Sequence, residues 1–253
     1  MSTAVGERRP LAAPTVLFLV AVAGACWALT IERMRGMDMG PGTDLGNLGR
    51  FSLVWVTMMA AMMLPSLSPM ALASSRSEGG FHAQPFARAV LFAVGYLGTW
   101  AAFGVLAYTV VDGVRSLDLG LLGWSGAGRY VAGGVVLVSA LYELTAAKRR
   151  CLQHCRDAGL LRRRARAIGA LPMGVEQGGF CVGCSGALMA ALFALGVMSI
   201  AWMLVIAALI AIEKLLPWTV ITVATTASTL ALLGVAVMVV PAHVPWLTLP
   251  MSM

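Results

Sequence analysis

Residues 151–184 read CLQHCRDAGLLRRRARAIGALPMGVEQGGFCVGC and hold four of the five cysteines of the chain. A C-x-x-H-C pattern opens this segment, a C-x-x-C pattern ends it, and arginines fill the loop between them. The sequence before and after the segment is dominated by long apolar stretches, which are typical of membrane-spanning helices. The segment therefore marks the place where a membrane protein gathers its thiols.

The composition supports this interpretation. The 253 residues are 59% hydrophobic and 11% charged, whereas a soluble domain carries about 25% charged residues. The apolar stretches are continuous and about 20 residues long, which favours helices over the alternating strands of a membrane barrel. We predict an all-α fold, a polytopic transmembrane helix bundle that forms one integral membrane domain over residues 1–253.

Polar interruptions divide the chain into about seven predicted spans. They cover approximately residues 11–31, 51–72, 87–111, 130–147, 178–197, 199–216 and 218–240. A basic loop at 148–174 separates the fourth span from the fifth. The turn near Met198 is tight, so the fifth and sixth spans could also form one longer helix, and six spans are the alternative.

The basic residues indicate the orientation. With the N-terminus inside, the inner segments hold 13 of the 18 Lys and Arg residues and the outer segments hold 5. This asymmetry satisfies the positive-inside rule, so we predict a cytoplasmic N-terminus and a cytoplasmic 148–174 loop. The net charge of +7 lies beside the spans, where it meets lipid headgroups. We therefore expect a lipid bilayer as partner and no nucleic acid.

The cysteine motifs suggest a metal site. If the fourth helix continues past the membrane surface, Cys151, His154 and Cys155 share one helical face. Cys181 and Cys184 share a face if the fifth helix starts near residue 178, where the helix dipole would favour thiolates. Soft Cys and His ligands suit Cu(I) or Zn²⁺. Thiol redox chemistry and simple packing are the alternatives.

Two further groups of side chains are candidate ligands. Thioethers are neutral soft donors that suit passage of Cu(I) through the membrane, although methionines also fill gaps between helices. Pro65 and Pro69 follow in the same span and should loosen its inner end. Carboxylates within spans are costly and often functional, which makes Glu143 a candidate ligand or supporting group. The candidate thioethers are Met58, Met59, Met62 and Met63.

These motifs also carry a resemblance. MMAAMMLPS, GYLGTW, CLQHCR, the GxxCxGC segment and EKLLP occur here in the order found in a bacterial family known as the predicted metal-binding integral membrane proteins. The resemblance covers about residues 51–217, and its cysteine and methionine motifs fall on the candidate ligands named above. This chain has Glu143 where the family often has glutamine, and Ser185 and Gly186 where it often has cysteine and tryptophan. The resemblance implies a multi-pass protein of the bacterial inner membrane and supplies no established reaction.

We therefore expect a membrane protein that binds a soft metal, with Cu(I) as the first candidate and zinc as the alternative, at a cytoplasm-side Cys/His cluster. It would act in metal delivery or transport rather than as an enzyme, and we assign no catalytic residue. Its partner would be a metallochaperone or a membrane complex. Two alternatives remain open: a membrane thiol oxidoreductase using Cys181 and Cys184, and a non-catalytic assembly subunit with a structural zinc site.

Overall fold

The computed structural model describes residues 12–34, 46–75, 85–116, 128–157, 159, 163–164, 167–196, 199–216 and 219–240. Within these ranges the chain is helical and contains no strand, so the all-α prediction is confirmed there. The longer helices of the described ranges are α1 (Ala12–Met34), α2 (Leu48–Ser75), α3 (Pro85–Ser116), α4 (Arg129–Glu143), α5 (Ala146–Arg156), α6 (Ala170–Gly196), α7 (Ile200–Leu215) and α8 (Thr219–Val239).

Five of these helices, α1, α2, α3, α6 and α8, are long and apolar enough to cross a membrane. The pair α4 and α5 makes a sixth if the two are one broken span. The predicted count of about seven, with six as the alternative, was therefore close. Helix α7 accounts for the difference, because it has only 16 residues. The two chain termini, at 1–11 and 241–253, lie outside the described residues, and the predicted orientation stays a prediction.

The fourth helix does not continue straight through the first cysteine motif as expected. Helix α4 ends at Glu143, and α5 leaves it at an angle of 67°. Thr145 starts a new helix at the break. Its backbone is extended and its hydroxyl accepts from the Lys148 N–H at 3.2 Å, so Thr145 caps the N-terminus of α5. The cysteines at 151 and 155 therefore lie on a short separate helix.

The next helix starts earlier than expected. Helix α6 begins at Ala170, after Gly169 with a φ of 88°, rather than near residue 178. Cys181 is thus eleven residues inside α6, and the expected stabilisation by the helix N-terminus is wrong because the dipole acts within the first turn. Helix α6 ends at Gly196, and Ser199 caps α7. The fifth and sixth predicted helices are therefore separate.

Close packing of α3 against α6 sets the geometry of the interior. A Cβ atom on Gly174 would collide with the backbone carbonyl of Phe92, and one on Gly178 would lie 3.0 Å from the carbonyl oxygen of Tyr96. Small residues at such contacts let two membrane helices approach closely. As a result the backbone of α3 lies directly beside α6, and Tyr96 faces the second cysteine motif.

An aromatic cluster fixes α2 against α3 and α6 at the other end of the bundle. The rings of Trp55 and Phe193 stack with centroids 5.2 Å apart, and the Trp55 indole N–H donates to the Trp100 carbonyl at 2.8 Å. From this anchor α2 runs antiparallel to α6, so its methionines pass toward the cysteine motifs. The fold thereby brings α2, α5, α6 and α7 together at one end of the bundle.

Candidate thiol and metal site

Three free thiols from two helices meet inside the bundle. Cys155 Sγ of α5 lies 3.6 Å from Cys184 Sγ of α6, and Cys155 also interacts with the side chain of Cys181. All three residues are buried, and all are free cysteines. The structure thus places one member of the C-x-x-H-C motif beside both members of the C-x-x-C motif. We call Cys155, Cys181 and Cys184 the thiol cluster.

Cys181 carries two donors at its sulfur. The Tyr96 hydroxyl donates to Cys181 Sγ at 2.8 Å, and the Lys214 ammonium donates to it at 3.0 Å. The same ammonium lies 3.7 Å from Met63 Sδ. Two donors, one of them cationic, are the surroundings that a thiolate requires. Cys181 is therefore held by groups from α3 and α7 rather than by the other thiols alone.

Neighbouring polar groups hold the other two thiols. The Cys184 thiol donates to the Cys181 carbonyl at 3.4 Å, and its sulfur lies 3.4 Å from the Ser185 hydroxyl. The Gln177 amide donates to the Cys155 carbonyl at 3.1 Å, which ties the end of α5 to α6. These contacts fix the positions of the sulfur atoms.

Cys151 and His154 belong to α5 and pack against α6 beside the thiol cluster. The Cys151 sulfur packs against Gly183, because a Cβ atom built on that glycine would lie only 2.7 Å from the sulfur. The His154 ring stacks on Phe180 with centroids 4.1 Å apart. Both residues are half-buried. Each therefore packs against a residue of α6 that is adjacent in sequence to a cysteine of the thiol cluster.

The four candidate methionines are all buried on α2: Met58, Met59, Met62 and Met63. Met63 reaches the thiol cluster through the Lys214 ammonium. Helix α2 runs unbroken through Pro65 and Pro69, so the expected loosening is wrong. The Ser68 hydroxyl donates to the Pro65 carbonyl at 2.6 Å, which satisfies the acceptor that Pro69 leaves without a helical donor.

Glu143 belongs to a second, fully buried cluster. The Lys148 ammonium donates to Glu143 Oε2 and, at 2.8 Å, to Glu213 Oε2. Each carboxylate keeps one oxygen, Oε1, without a hydrogen-bond partner. We call these three residues the carboxylate cluster. It joins the end of α4, the start of α5 and the end of α7, and in this arrangement Glu143 contacts Lys148.

The arrangement of the side chains limits which metal ion the site could hold without rearrangement. No group of three or more His, Cys, Asp or Glu side chains in the described ranges is arranged to hold a metal ion. Structural Zn²⁺ almost always takes four ligands in a tetrahedron, and such a set is not assembled there. The Cys155–Cys184 pair remains, and a pair of soft thiolates suits Cu(I).

Several residues that surround the cluster are not among the ligands that the sequence predicts. Tyr96 lies in the GYLGTW motif and Lys214 in the EKLLP motif, so both were within the segments that carry the family resemblance. Their residue types did not suggest metal binding, because neither is a usual soft ligand. Lys148 was counted with the basic loop, yet it is fully buried. The motifs GYLGTW and EKLLP therefore contained Tyr96 and Lys214, but nothing in the chemistry of these two residues indicated a metal site.

The chain matches a known protein family. The family model PpoB2, described as copper chaperone, matches residues 52–237. No curated protein and no solved structure matches this chain. The match agrees with the predicted metal-related family and extends past the expected end at residue 217. Because it covers well over half of the sequence, the chain belongs to the PpoB2 family, described as copper chaperone.

Proposed function

We propose that this protein binds Cu(I) between Cys155 and Cys184 and delivers it within the bacterial inner membrane. The observation that carries the proposal is the pair of buried thiols, 3.6 Å apart and supplied by two different helices. Its membership of a family described as copper chaperone supports copper as the metal. Cu(I) is carried as cargo, so the protein acts in delivery rather than in catalysis.

The other candidate ligands take places along the same route. Buried thioethers on α2 supply neutral soft donors on one side of the thiol cluster, with Met63 nearest to it. Half-buried Cys151 and His154 supply donors at the rim of α5, where a metallochaperone or a membrane complex would exchange copper. Ligand exchange among similar soft donors has small free-energy steps, which allows release as well as capture.

The carboxylate cluster supports the site from outside. Lys148 binds Glu143 of α4 and Glu213 of α7, and Lys148 and Cys155 lie on the same short helix. Breaking a buried ion pair by removing one partner is strongly destabilising. The cluster therefore holds α5, and with it Cys155, in place against α6. We assign Glu143 this supporting role.

Anaerobic metal analysis in mild detergent tests the proposal. We expect near-stoichiometric copper in the wild type, and none in Cys155→Ser or Cys184→Ser, because one thiolate cannot replace the pair. Cys26→Ser is the matched control, since Cys26 is a half-buried cysteine of α1 away from the cluster. Full copper content in both cluster variants would contradict the proposal, and zinc lost in the same pattern would favour the structural assembly subunit.

The same 3.6 Å distance favours a second function, thiol oxidoreduction. Cys155 and Cys184 could form a disulfide by losing two protons and two electrons to a quinone, with only small movement of the sulfur atoms. This alternative needs neither copper nor methionines. It would be supported by a protein without bound metal whose Cys155–Cys184 dithiol is oxidised reversibly by a quinone.

A further inference from the structure

Lys214 has unusual partners for a lysine. Its ammonium contacts the sulfur of Cys181 at 3.0 Å and the sulfur of Met63 at 3.7 Å. The Met63 thioether is a weak hydrogen-bond acceptor, and a lysine ammonium is a compact, strongly hydrated charge. A thiolate and a thioether suit a soft metal cation better than an amine. The position between Met63 and Cys181 therefore has donors for a metal but is held by a lysine.

Lys148 shows which partners suit a buried lysine. The chain has only two lysines, Lys148 and Lys214. Lys148 binds two carboxylates, and one of them belongs to Glu213, the residue directly before Lys214. None of the ion pairs within the described ranges involves Lys214. The nearest carboxylate along the chain is thus engaged elsewhere, and Lys214 is left with sulfur.

We propose that Lys214 is the gate between the methionines of α2 and the thiol cluster, and that Cu(I) passes by displacing its ammonium from Met63 and Cys181. This inference rests on the proposed copper function. The exchange is balanced, because the ammonium keeps its three protons and Cu(I) keeps its oxidation state. Only the contacts to sulfur change.

The exchange also preserves charge. One singly charged cation replaces another beside Cys181, so no uncompensated charge is left in a poorly solvated region, which would be costly. A divalent ion at the same position would add one positive charge. The gate therefore favours Cu(I) over Zn²⁺, in addition to the preference that the sulfur donors already give.

The side chain has a place to go. Lys214 is partly exposed, near the end of α7, and long cationic side chains of membrane helices can turn their charged end toward the interface. Once released, Cys181 joins Cys155 and Cys184 as a third thiol donor. This explains why three thiols lie together in the described part of the chain without forming a ready three-ligand group.

Amine labelling reads the gate directly, because the two lysines can be followed separately by mass spectrometry. The full-length protein in detergent is treated with a lysine-selective reagent at fixed pH, with and without Cu(I) supplied anaerobically from a soluble chelate. We expect labelling of Lys214 to rise several-fold with copper, while labelling of the fully buried Lys148 stays unchanged and reports an intact fold.

The outcomes separate the two proposals. Copper bound at Cys155 and Cys184 with unchanged labelling of Lys214 would overturn the gate and leave the copper function standing. Failure of the protein to bind Cu(I) at all would overturn both. A rise at Lys148 as large as that at Lys214 would indicate general loosening and would also overturn the gate.

Substitution of Lys214 gives an independent test. Lys214→Met removes the resident cation at similar length, so we expect a several-fold gain in Cu(I) affinity in competition with a chromophoric chelator. Lys214→Arg keeps the charge and should bind close to the wild type. A loss of affinity in Lys214→Met, with Lys214→Arg unaffected, would show that the ammonium supports metal binding rather than blocks it, and would overturn the gate.

Discussion

The end of α7 supplies neighbouring residues to two clusters of opposite character. Glu213 enters the carboxylate cluster, where Lys148 is fully buried between two oxygen acceptors. Lys214 enters the thiol cluster, where its partners are sulfur atoms and its side chain is partly exposed. The same cation is thus well matched in one cluster and poorly matched in the other. A matched, buried pair fixes helices, and a mismatched one is free to exchange.

The most damaging change should break the matched cluster. Lys148→Met leaves two buried carboxylates without a cation, which costs about 3–5 kcal/mol. We expect a much lower thermal unfolding midpoint in detergent and loss of bound copper, because α5 is no longer held by α4 and α7.

The control for this change removes every charge. In the triple variant Glu143→Gln, Lys148→Met, Glu213→Gln, no buried charge remains without a partner, and much of the stability should return. An unaltered midpoint for Lys148→Met alone would show that the carboxylate cluster does not hold the helices.

A smaller effect should come from separating α3 and α6 at the thiol cluster. A Cβ on Gly178 would lie 2.7 Å from Thr99 Cβ and 3.0 Å from the Tyr96 carbonyl oxygen. Gly178→Ala should therefore cost about 1–3 kcal/mol in overpacking, and should weaken Cu(I) binding by moving Cys181. Chelator competition and thermal unfolding measure the two effects.

The adjacent residue is a matched control. Nothing lies within 4 Å of a Cβ built on Gly179, and alanine is favoured over glycine in a helix by about 0.8–1.0 kcal/mol. Gly179→Ala should leave copper binding unchanged. If Gly178→Ala and Gly179→Ala had equal effects, close packing of α3 against α6 would not explain the geometry of the thiol cluster.

Next in size is the difference between the two cysteines of α5. Cys151 packs against Gly183 and is half-buried, whereas Cys155 is buried beside Cys184. Cys151→Ser should keep the bound copper but slow its exchange with a soluble carrier, because a rim donor is lost. Stopped-flow transfer to a chromophoric chelator measures the rate. Loss of stoichiometric copper in Cys151→Ser would place Cys151 in the binding pair instead.

The smallest effect is expected at His154. Its ring stacks on Phe180, an aromatic contact worth about 0.5–1.5 kcal/mol. His154→Phe keeps the stacking and removes the nitrogen donors, so both stability and copper content should remain near those of the wild type. A marked loss of copper in this variant would make His154 a direct ligand.

Much of the fold followed from the sequence, because burial in lipid demands long apolar helices. Two helix boundaries did not. The break before α5 falls at Leu144 and Thr145, which lie in a stretch with no Pro or Gly to mark it. The start of α6 at Ala170 lies inside the predicted basic loop of 148–174, because the polar Glu176 and Gln177 interrupt the apolar pattern before residue 178.

The site followed the sequence only in part. Helical spacing predicted that Cys181 and Cys184 share a face, and the structure places both near Cys155. The choice of partner by each lysine was not predictable, because it depends on how α7 is rotated about its axis. The spacing of residues along one helix gives no information about that rotation. For this reason Lys148 was assigned to the basic loop of 148–174, although it lies in the core.

The shortness of α7 has a consequence for the surrounding lipid. Its 16 residues extend about 24 Å, while the hydrocarbon core of a bilayer is about 30 Å thick. Leu204, Ile212 and Leu215 expose apolar surface along it, so a bilayer beside α7 either thins or leaves one helix end below the interface, at a cost that grows with the mismatch. For the proposed gate, a thicker bilayer would hold the α7 end that carries Lys214 farther from the interface, so we expect long-chain lipids to oppose the exchange of its ammonium for Cu(I) and short-chain lipids to permit it.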